Sequence, residues 1–269
     1  MLPPSRSSNQ ISSDMNPQTR FSNRVETYVK YRPGYPPAVI DFLRATCGLK
    51  STHAVADIGS GTGILTELFL KNGNPVFGVE PNGAMRAAGE QILQDYPNFT
   101  SIEGSAEATT RPEASVDFVT AAQAFHWFDK DRTKAEFARI LKPNGWAILL
   151  WNERRTDSTP FLRDYEALLL KYGTDYQEVR HENVYEDIAA FFAPNDFHLQ
   201  SIENQQVFDY EGLQGRLLSS SYVPAEGQPG YPEMLQALRQ VFDAHQQNGR
   251  VVVEYDTRIY AGRIDNTAR

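Results

Sequence analysis

The chain has 269 residues, 41% of them hydrophobic, and a formal net charge of −8. That length buries one large α/β core with room for an inserted cap, and the acidic balance argues against a nucleic-acid partner. A single cysteine, Cys47, excludes an internal disulfide and fits a cytoplasmic location, while no apolar run approaches the ~20 residues that cross a bilayer, so no membrane partner is expected.

Residues 1–20 carry Ser, Asn, Pro and Gln without an apolar centre and read as a disordered tail rather than a signal peptide. Residues 21–35 lead into a helix over 36–46. His53–Ile58 is a buried parallel strand, and Ile64, Leu65, Leu68 and Phe69 recur at helical spacing just after it. Pro75–Glu80 forms a second strand and 82–94 a helix with Met85, Ala88, Ile92 and Leu93 inward. Phe99–Glu103 is a short third strand and Ser115–Ala122 a strong fourth. Lys130–Leu141 is amphipathic, with Ala135, Phe137, Ile140 and Leu141 inward, and Pro143-Asn144-Gly145 stops it. Trp146–Trp151 is a fifth buried strand. Alternating strands and helices of this kind require right-handed crossovers and a parallel sheet. Beyond Asn152 the rhythm changes: helices over 159–172 and 184–192, a strand over 198–210, helices over 211–219 and 232–247, then an alternating strand from Gly249.

The chemistry sits between the first strand and its helix. Gly59-Ser60-Gly61-Thr62-Gly63 removes side chains where the backbone turns and approaches a ligand. Asp57 ends the strand pointed at that turn. A phosphate cradle avoids a carboxylate there, because its amides hold negative charge. The spacing is Gly-x-Gly-x-Gly rather than the Gly-x-Gly-x-x-Gly of dinucleotide binders. Glu80, 17 residues past Gly63, ends the second strand, where an acid accepts ribose hydroxyls. A free ribose diol, no phosphate cradle and an acid for an amino or sulfonium group describe S-adenosylmethionine. Asp57, Glu80, Glu103-Gly104-Ser105 and Ala122-Gln123 all fall at strand ends, hence on one rim of the sheet, outside which ligands of such sheets bind.

Asp57–Gly63 resembles the first motif, Asp-x-Gly-x-Gly-x-Gly, of the class I S-adenosylmethionine-dependent methyltransferases. Ala124-Phe125-His126-Trp127-Phe128 and Leu141-Lys142-Pro143-Asn144-Gly145 are similar to segments of the small-molecule branch related to the trans-aconitate and ubiquinone/menaquinone enzymes, the type 11 methyltransferases. Asn144 stands where that branch has glycine and tolerates the same left-handed backbone. The resemblance implies a Rossmann-like doubly wound α/β sheet of seven strands, mostly parallel, with the last strand antiparallel beside the fifth. The change of rhythm after Asn152 divides the chain into 21–152 (cofactor-binding core with an N-terminal lid), 153–197 (helical cap insertion) and 198–269 (the remainder of the sheet with a helical insertion). By resemblance Glu80 holds the ribose, Pro81 and Met85 flank the adenine, Ser105 and Ala106 pass close to it, and Tyr28 and Arg32 fold over the cofactor. Gly59, Ser60, Gly61, Gly63, Ala122 and Gln123 complete that set.

His126 follows the fourth strand, near where a methyl group is presented; it is a candidate base for a hydroxyl and equally a hydrogen-bonded core residue. Phe125, Trp127, Trp151, Tyr222 and Tyr231 are offered as aromatic walls, although Trp127 and Phe128 also read as packing residues. Glu107 is either a functional acid or a solvated charge, and Asp117 a structural hydrogen-bonding group. No His lies in a metal-ligand spacing, so no metal is expected. The expected activity is methyl transfer from S-adenosylmethionine, leaving S-adenosylhomocysteine, to a small organic acceptor: O-methylation of a carboxylate or hydroxyl, or C-methylation. The expected assembly is a monomer or weak dimer. Two alternatives stay open: a cofactor-binding sensor or scaffold without transfer, and a nicotinamide-dependent oxidoreductase, which Asp57 and the glycine spacing disfavour.

Overall fold

The computed structural model describes residues 30–174, 176, 184–220 and 222–264. The expected tail, and Tyr28 with it, lie outside the described residues. Seven strands form one sheet in the order β3-β2-β1-β4-β5-β7-β6. They are β1 (Val55–Ile58), β2 (Val76–Val79), β3 (Phe99–Ile102), β4 (Val116–Ala122), β5 (Leu141–Arg154), β6 (Phe197–Phe208) and β7 (Val251–Gly262). The first five run parallel. β7 lies antiparallel between β5 and β6, the place expected of it. No helix among the described residues is long and apolar enough to cross a membrane.

The chain reverses direction in space between β3 and β4, on either side of β1. The carboxyl ends of β1 and β4 diverge into helices on opposite faces there, which leaves a crevice on that rim. One face of the sheet is covered by α1 (Ala38–Cys47) and α2 (Ile64–Lys71), whose Val39, Leu43, Leu65 and Phe69 are fully or almost fully buried, and by Leu93 at the end of α3 (Gly83–Ile92). Cys47 packs in this layer as the small hydrophobe expected, and burial pushes its thiol up to about 12. The other face is covered by α4 (Lys130–Ile140) and α6 (Val184–Phe192), where Phe125, Phe137, Phe191 and Phe192 interlock edge to face. α6 therefore belongs to the sheet, although its sequence position falls in the expected cap segment 153–197.

The cap is built from α5 (Pro160–Tyr172), α7 (Tyr210–Leu218) and α8 (Tyr231–His245). These share an apolar cluster with Phe208 of β6 and Val251, Val253 and Tyr255 of β7. β6 and β7 pair along their whole length, from Phe197 with Gly262 to Phe208 with Val251. β5 stops pairing with β7 at Arg154 and Tyr255. The longer ribbon thus overhangs the carboxyl ends of the parallel strands and carries the cap above the crevice. Thr159 starts α5 by accepting the Leu162 N–H at 3.1 Å, with Pro160 at the first turn.

Three expectations shift. Pro143-Asn144-Gly145 does not separate helix from strand. Leu141 pairs with Val116 and Trp146 with Phe118, so 142–145 is an extruded bulge inside β5, with Asn144 at φ +66°. Ile92 is 42% exposed, whereas Gly89 is buried and a Cβ on it would stand 3.2 Å from the Gly61 carbonyl oxygen; α3 is rotated to bring that small residue under the turn. Ala135 is exposed while Thr133 and Glu136 are buried. Glu136 accepts the Thr109 N–H at 2.9 Å and pairs with Arg139 at 2.7 Å, so a polar network sets that helix face. Asp117 does make its structural bond, accepting the Ala54 N–H at 2.8 Å, and it pairs with Lys142.

Gly63 precedes α2 at φ +88°, and a Cβ there would lie 2.5 Å from Cδ1 of the fully buried Leu93. Gly48 ends α1 at φ +67° with nothing within 4 Å. Gly63→Ala is expected to cost about 1–3 kcal/mol through overpacking beyond the backbone strain it shares with Gly48→Ala. Urea denaturation of the two variants measures that difference.

Candidate functional site

The glycine turn runs from the end of β1 over the end of β2. Its amides are committed internally: Gly59 and Ser60 both donate to the Val79 carbonyl, at 2.8 and 3.2 Å, and Gly63 donates to Ser60 O at 2.9 Å. Gly61 donates to Glu80 Oε2 at 2.9 Å. Gly59 sits at φ +66°, and a Cβ on it would meet Cβ of Ala124 at 2.8 Å. With these four amides committed, the turn is poorly equipped to wrap a diphosphate.

Asp57 is 1% exposed. Thr66 donates its hydroxyl to Oδ2 at 2.6 Å and Thr120 donates to Oδ1 at 2.8 Å. Burial pushes the carboxyl up to about 6 against those two hydroxyls, and the nearby charge of Glu80 adds to the rise. Glu80 is 8% exposed and clamps the turn to the next helix: Oε1 accepts the Asn82 N–H at 2.8 Å while Oε2 holds Gly61. Burial raises its carboxyl too, opposed by those N–H groups and by Arg86. Asn82 in turn caps α3, accepting from Ala84 and Met85. β1 and β2 are parallel neighbours with Asp57 level with Gly78, so both acids stand on the same rim.

A cavity of about 420 Å³ opens between this rim and the cap. On the rim side Asp57, Gly59, Ser60, Gly61, Thr62, Ala122 and Gln123 line it. On the cap side the lining is Arg32, Glu153, Arg154, Tyr176, Arg216 and Tyr222. Gln123 stands at φ +55° just after β4 and donates to the Asn152 carbonyl at 3.2 Å. Arg32 reaches the cavity from the lead-in segment, donating to Ser219 O at 2.9 Å. That segment is tied to the sheet by Asn152, which donates to Gly34 O at 3.1 Å.

The remaining expected site residues fall elsewhere. Gly63, Glu80, Pro81, Met85, Ser105 and Ala106 do not line this cavity; Met85 and Ala106 are buried beside the turn, with the Met85 methyl under Gly61. Ser105 pairs its backbone with Ala108. Glu107 is structural: it accepts the Asp129 N–H at 3.0 Å at the start of α4, and hydrogen bonds from Ser105 and Asp129 hold its carboxyl below the usual range despite some burial. His126 lies half-buried on the single turn Phe125–Trp127 after β4, its ring against Trp127, outside the cavity lining. Phe125 and Trp151 are core residues, Trp127 is 40% exposed, and of the aromatic walls offered only Tyr222 lines the cavity.

Arg154 and Arg216 on the cap side were not anticipated. Arg154 stands beyond the expected end of the fifth strand, because β7 keeps pairing with β5 as far as Tyr255. The signal was available: Asn152-Glu153-Arg154 follows a strand end on the same rim as Asp57. Arg216 shares a helix face with Leu213 and Leu217, both fully buried, and an arginine on an apolar stripe marks a buried charge.

A family model described as a methyltransferase domain matches residues 56–149. An uncharacterized methyltransferase of Mycobacterium tuberculosis is 37% identical over 134 residues, covering 50% of this chain and 52% of that protein. One from Schizosaccharomyces pombe is 31% identical over 152 residues, covering 56% and 59%. The chain spans about half the length of the curated relatives it matches. A solved structure from Anaeromyxobacter dehalogenans, provisionally named a type II methyltransferase, superposes with a TM-score of 0.66 at 26% identity, covering 87% of this chain and 98% of that one.

Proposed function

We propose that this chain, whose residues 56–149 are a methyltransferase domain of type 11, binds S-adenosylmethionine at the glycine turn as class I enzymes do and methylates a small organic acceptor held in the cavity. The observation that carries the reading is the turn itself, four of whose amides are spent on Val79, Ser60 and Glu80 while two buried carboxylates share its rim. That donor set suits a cationic amino acid joined to a nucleoside and does not suit a dinucleotide.

Asp57 lines the cavity and, as a carboxylate, keeps acceptor capacity beyond its bonds from Thr66 and Thr120, so it faces the ammonium group. Glu80, braced by Gly61 and Asn82, takes the ribose hydroxyls. Pro81, Met85, Ser105 and Ala106 surround the adenine, and Arg32, with Tyr28 beyond the described residues, closes the site from the N-terminal side. When bound, the cofactor supplies an electrophilic methyl on a sulfonium. The protein's part is to align an acceptor atom with that methyl, and fixed geometry of this kind supplies about 7–11 kcal/mol of the barrier. Thr66 and Thr120 keep the Asp57 carboxylate in one orientation, and the buried cap restricts water. A hydroxyl acceptor must lose a proton and a carboxylate need not; His126 stands outside the cavity lining, so a base role for it requires the acceptor to reach beyond that lining to the turn after β4.

The test is incubation with methyl-labelled S-adenosylmethionine and a small-molecule extract. A labelled low-molecular-weight product is expected. Binding of S-adenosylhomocysteine without any labelled product would make the chain a sensor, and absence of both would overturn the reading.

A further inference from the structure

The cap end of the cavity carries positive charge that the methyl-transfer reading does not use. Arg216, on the inner face of α7, is 7% exposed and lines the cavity. Among the described residues its partners are both neutral. Nε donates to the Tyr255 hydroxyl at 3.1 Å and Nη1 donates to the Ser220 hydroxyl at 3.1 Å. No carboxylate pairs with it. Its neighbour Arg154 differs: Glu166 neutralises it, and Tyr176 donates to that carboxylate at 2.7 Å while accepting from Arg154 at 2.9 Å. Glu153, the other acid on this side, is paired with Arg258 at 2.6 Å, and Asp57 is held by its two threonines on the opposite rim.

Burying a guanidinium among neutral groups is costly unless something compensates its charge. The protein nonetheless braces this one carefully. Tyr255, which holds Nε, donates onward to Gln206 Oε1 at 2.9 Å, and Gln206 donates to the Tyr31 carbonyl at 3.2 Å. The guanidinium plane is thus fixed from β7, β6 and the lead-in segment before any ligand arrives. Tyr222 reports the resulting field. Burial pushes its phenol up, yet the guanidinium groups of Arg216, Arg32 and Arg154 together hold it below the usual value.

We propose that Arg216 anchors a carboxylate of the methyl acceptor, so that the substrates of this cavity are organic acids. This rests on the proposed function for the word acceptor; the anion subsite stands on the cavity alone. With Nε on Tyr255 and one Nη1 proton on Ser220, the guanidinium keeps its Nη2 protons and the second Nη1 proton to donate to a carboxylate. Tyr222, in the same wall, offers a hydroxyl beside it. The methionyl half of the cofactor also ends in a carboxylate, and Arg32, on the strap that folds toward the turn, is the residue placed for that group. Arg216 sits on the cap, on the acceptor's side.

The experiment is calorimetric titration of the chain, alone and saturated with S-adenosylhomocysteine, with acetate, glutarate and benzoate, each against its amide. At least one acid is expected to bind where its amide does not. Arg216→Gln should weaken that acid about tenfold or more and shift S-adenosylhomocysteine affinity less than about threefold. Arg216→Lys, which keeps the charge and loses the fork, should fall between; it also carries the test if the glutamine variant fails to fold. Equal binding of acid and amide, no binding of any of the acids, or a loss confined to S-adenosylhomocysteine would each overturn the proposal, the last by assigning Arg216 to the cofactor. Failure of S-adenosylhomocysteine to bind the wild-type chain would strike the proposed function instead, and the acid titrations on the chain alone would still decide the subsite.

Discussion

Glu80→Ala is expected to lower the affinity for S-adenosylhomocysteine by about 10²-fold or more. Two hydroxyls donating to a buried carboxylate contribute about 1.5–3 kcal/mol each, which sums to a factor of roughly 10²–10⁴. The same substitution orphans the N–H groups of Gly61 and Asn82, which the carboxylate accepts at 2.9 and 2.8 Å. Stability should therefore fall as well, by about 1–3 kcal/mol. The two effects are separable. Glu80→Gln keeps an oxygen for one N–H and loses the charge, so it should retain more stability than the alanine variant while still binding weakly. Calorimetry and thermal denaturation of both variants give the answer. Near wild-type affinity in either would remove Glu80 from the cofactor site.

Asp57 should make both stability and binding depend on pH, in opposite senses. Its carboxyl titrates at about 6 in the folded chain and near 3.9 in an unfolded one. Between these values the native state holds a proton that the unfolded state has lost. The contribution of Asp57 to stability is therefore greatest below pH 4, and about 3 kcal/mol of it is lost as pH rises through 6. An ammonium group beside Asp57 favours the ionised form instead. Affinity for S-adenosylhomocysteine should rise as pH climbs, by about tenfold between pH 5 and pH 7.5, since about nine-tenths of a group with a pKa of 6 is protonated at pH 5. Asp57→Asn should be more stable than wild type above pH 6 and should lose the step in affinity. A pH-independent affinity in the wild-type chain would mean that Asp57 serves only Thr66 and Thr120. Glu80 is also raised by burial, so a weaker slope is expected to persist in the asparagine variant.

Much of this molecule was legible because its information is local. An apolar run closed by an acid and three glycines specifies strand, turn and helix within thirteen residues, and the observed β1, turn and α2 follow it closely. That the first five strands run parallel follows from alternation and crossover handedness, while their order belongs to the doubly wound fold that the resemblance implies. The place of β7 came from resemblance, because pairing between residues a hundred positions apart leaves no periodic trace. Partners of the acids were invisible for a similar reason. Thr120 is 63 residues from Asp57, and a threonine inside a strand reads as β-prone rather than as a hydroxyl aimed at a carboxylate. α6 was placed in the cap because it follows the break in rhythm. Its Ile188, Phe191 and Phe192 would have suited either layer, since helical spacing specifies an apolar face and not the surface it meets. The cap side of the cavity was least legible. It assembles Arg32, Arg154, Tyr176, Arg216 and Tyr222 from separate segments, and only Arg32 and Tyr222 stood out in the sequence.

The most direct measurement is calorimetric titration of the wild-type chain with S-adenosylhomocysteine and, separately, with NAD⁺. Saturable one-to-one binding of the first and no heat from the second is the predicted result. Binding of NAD⁺ at the glycine turn, or no binding of S-adenosylhomocysteine, would contradict the account at its base.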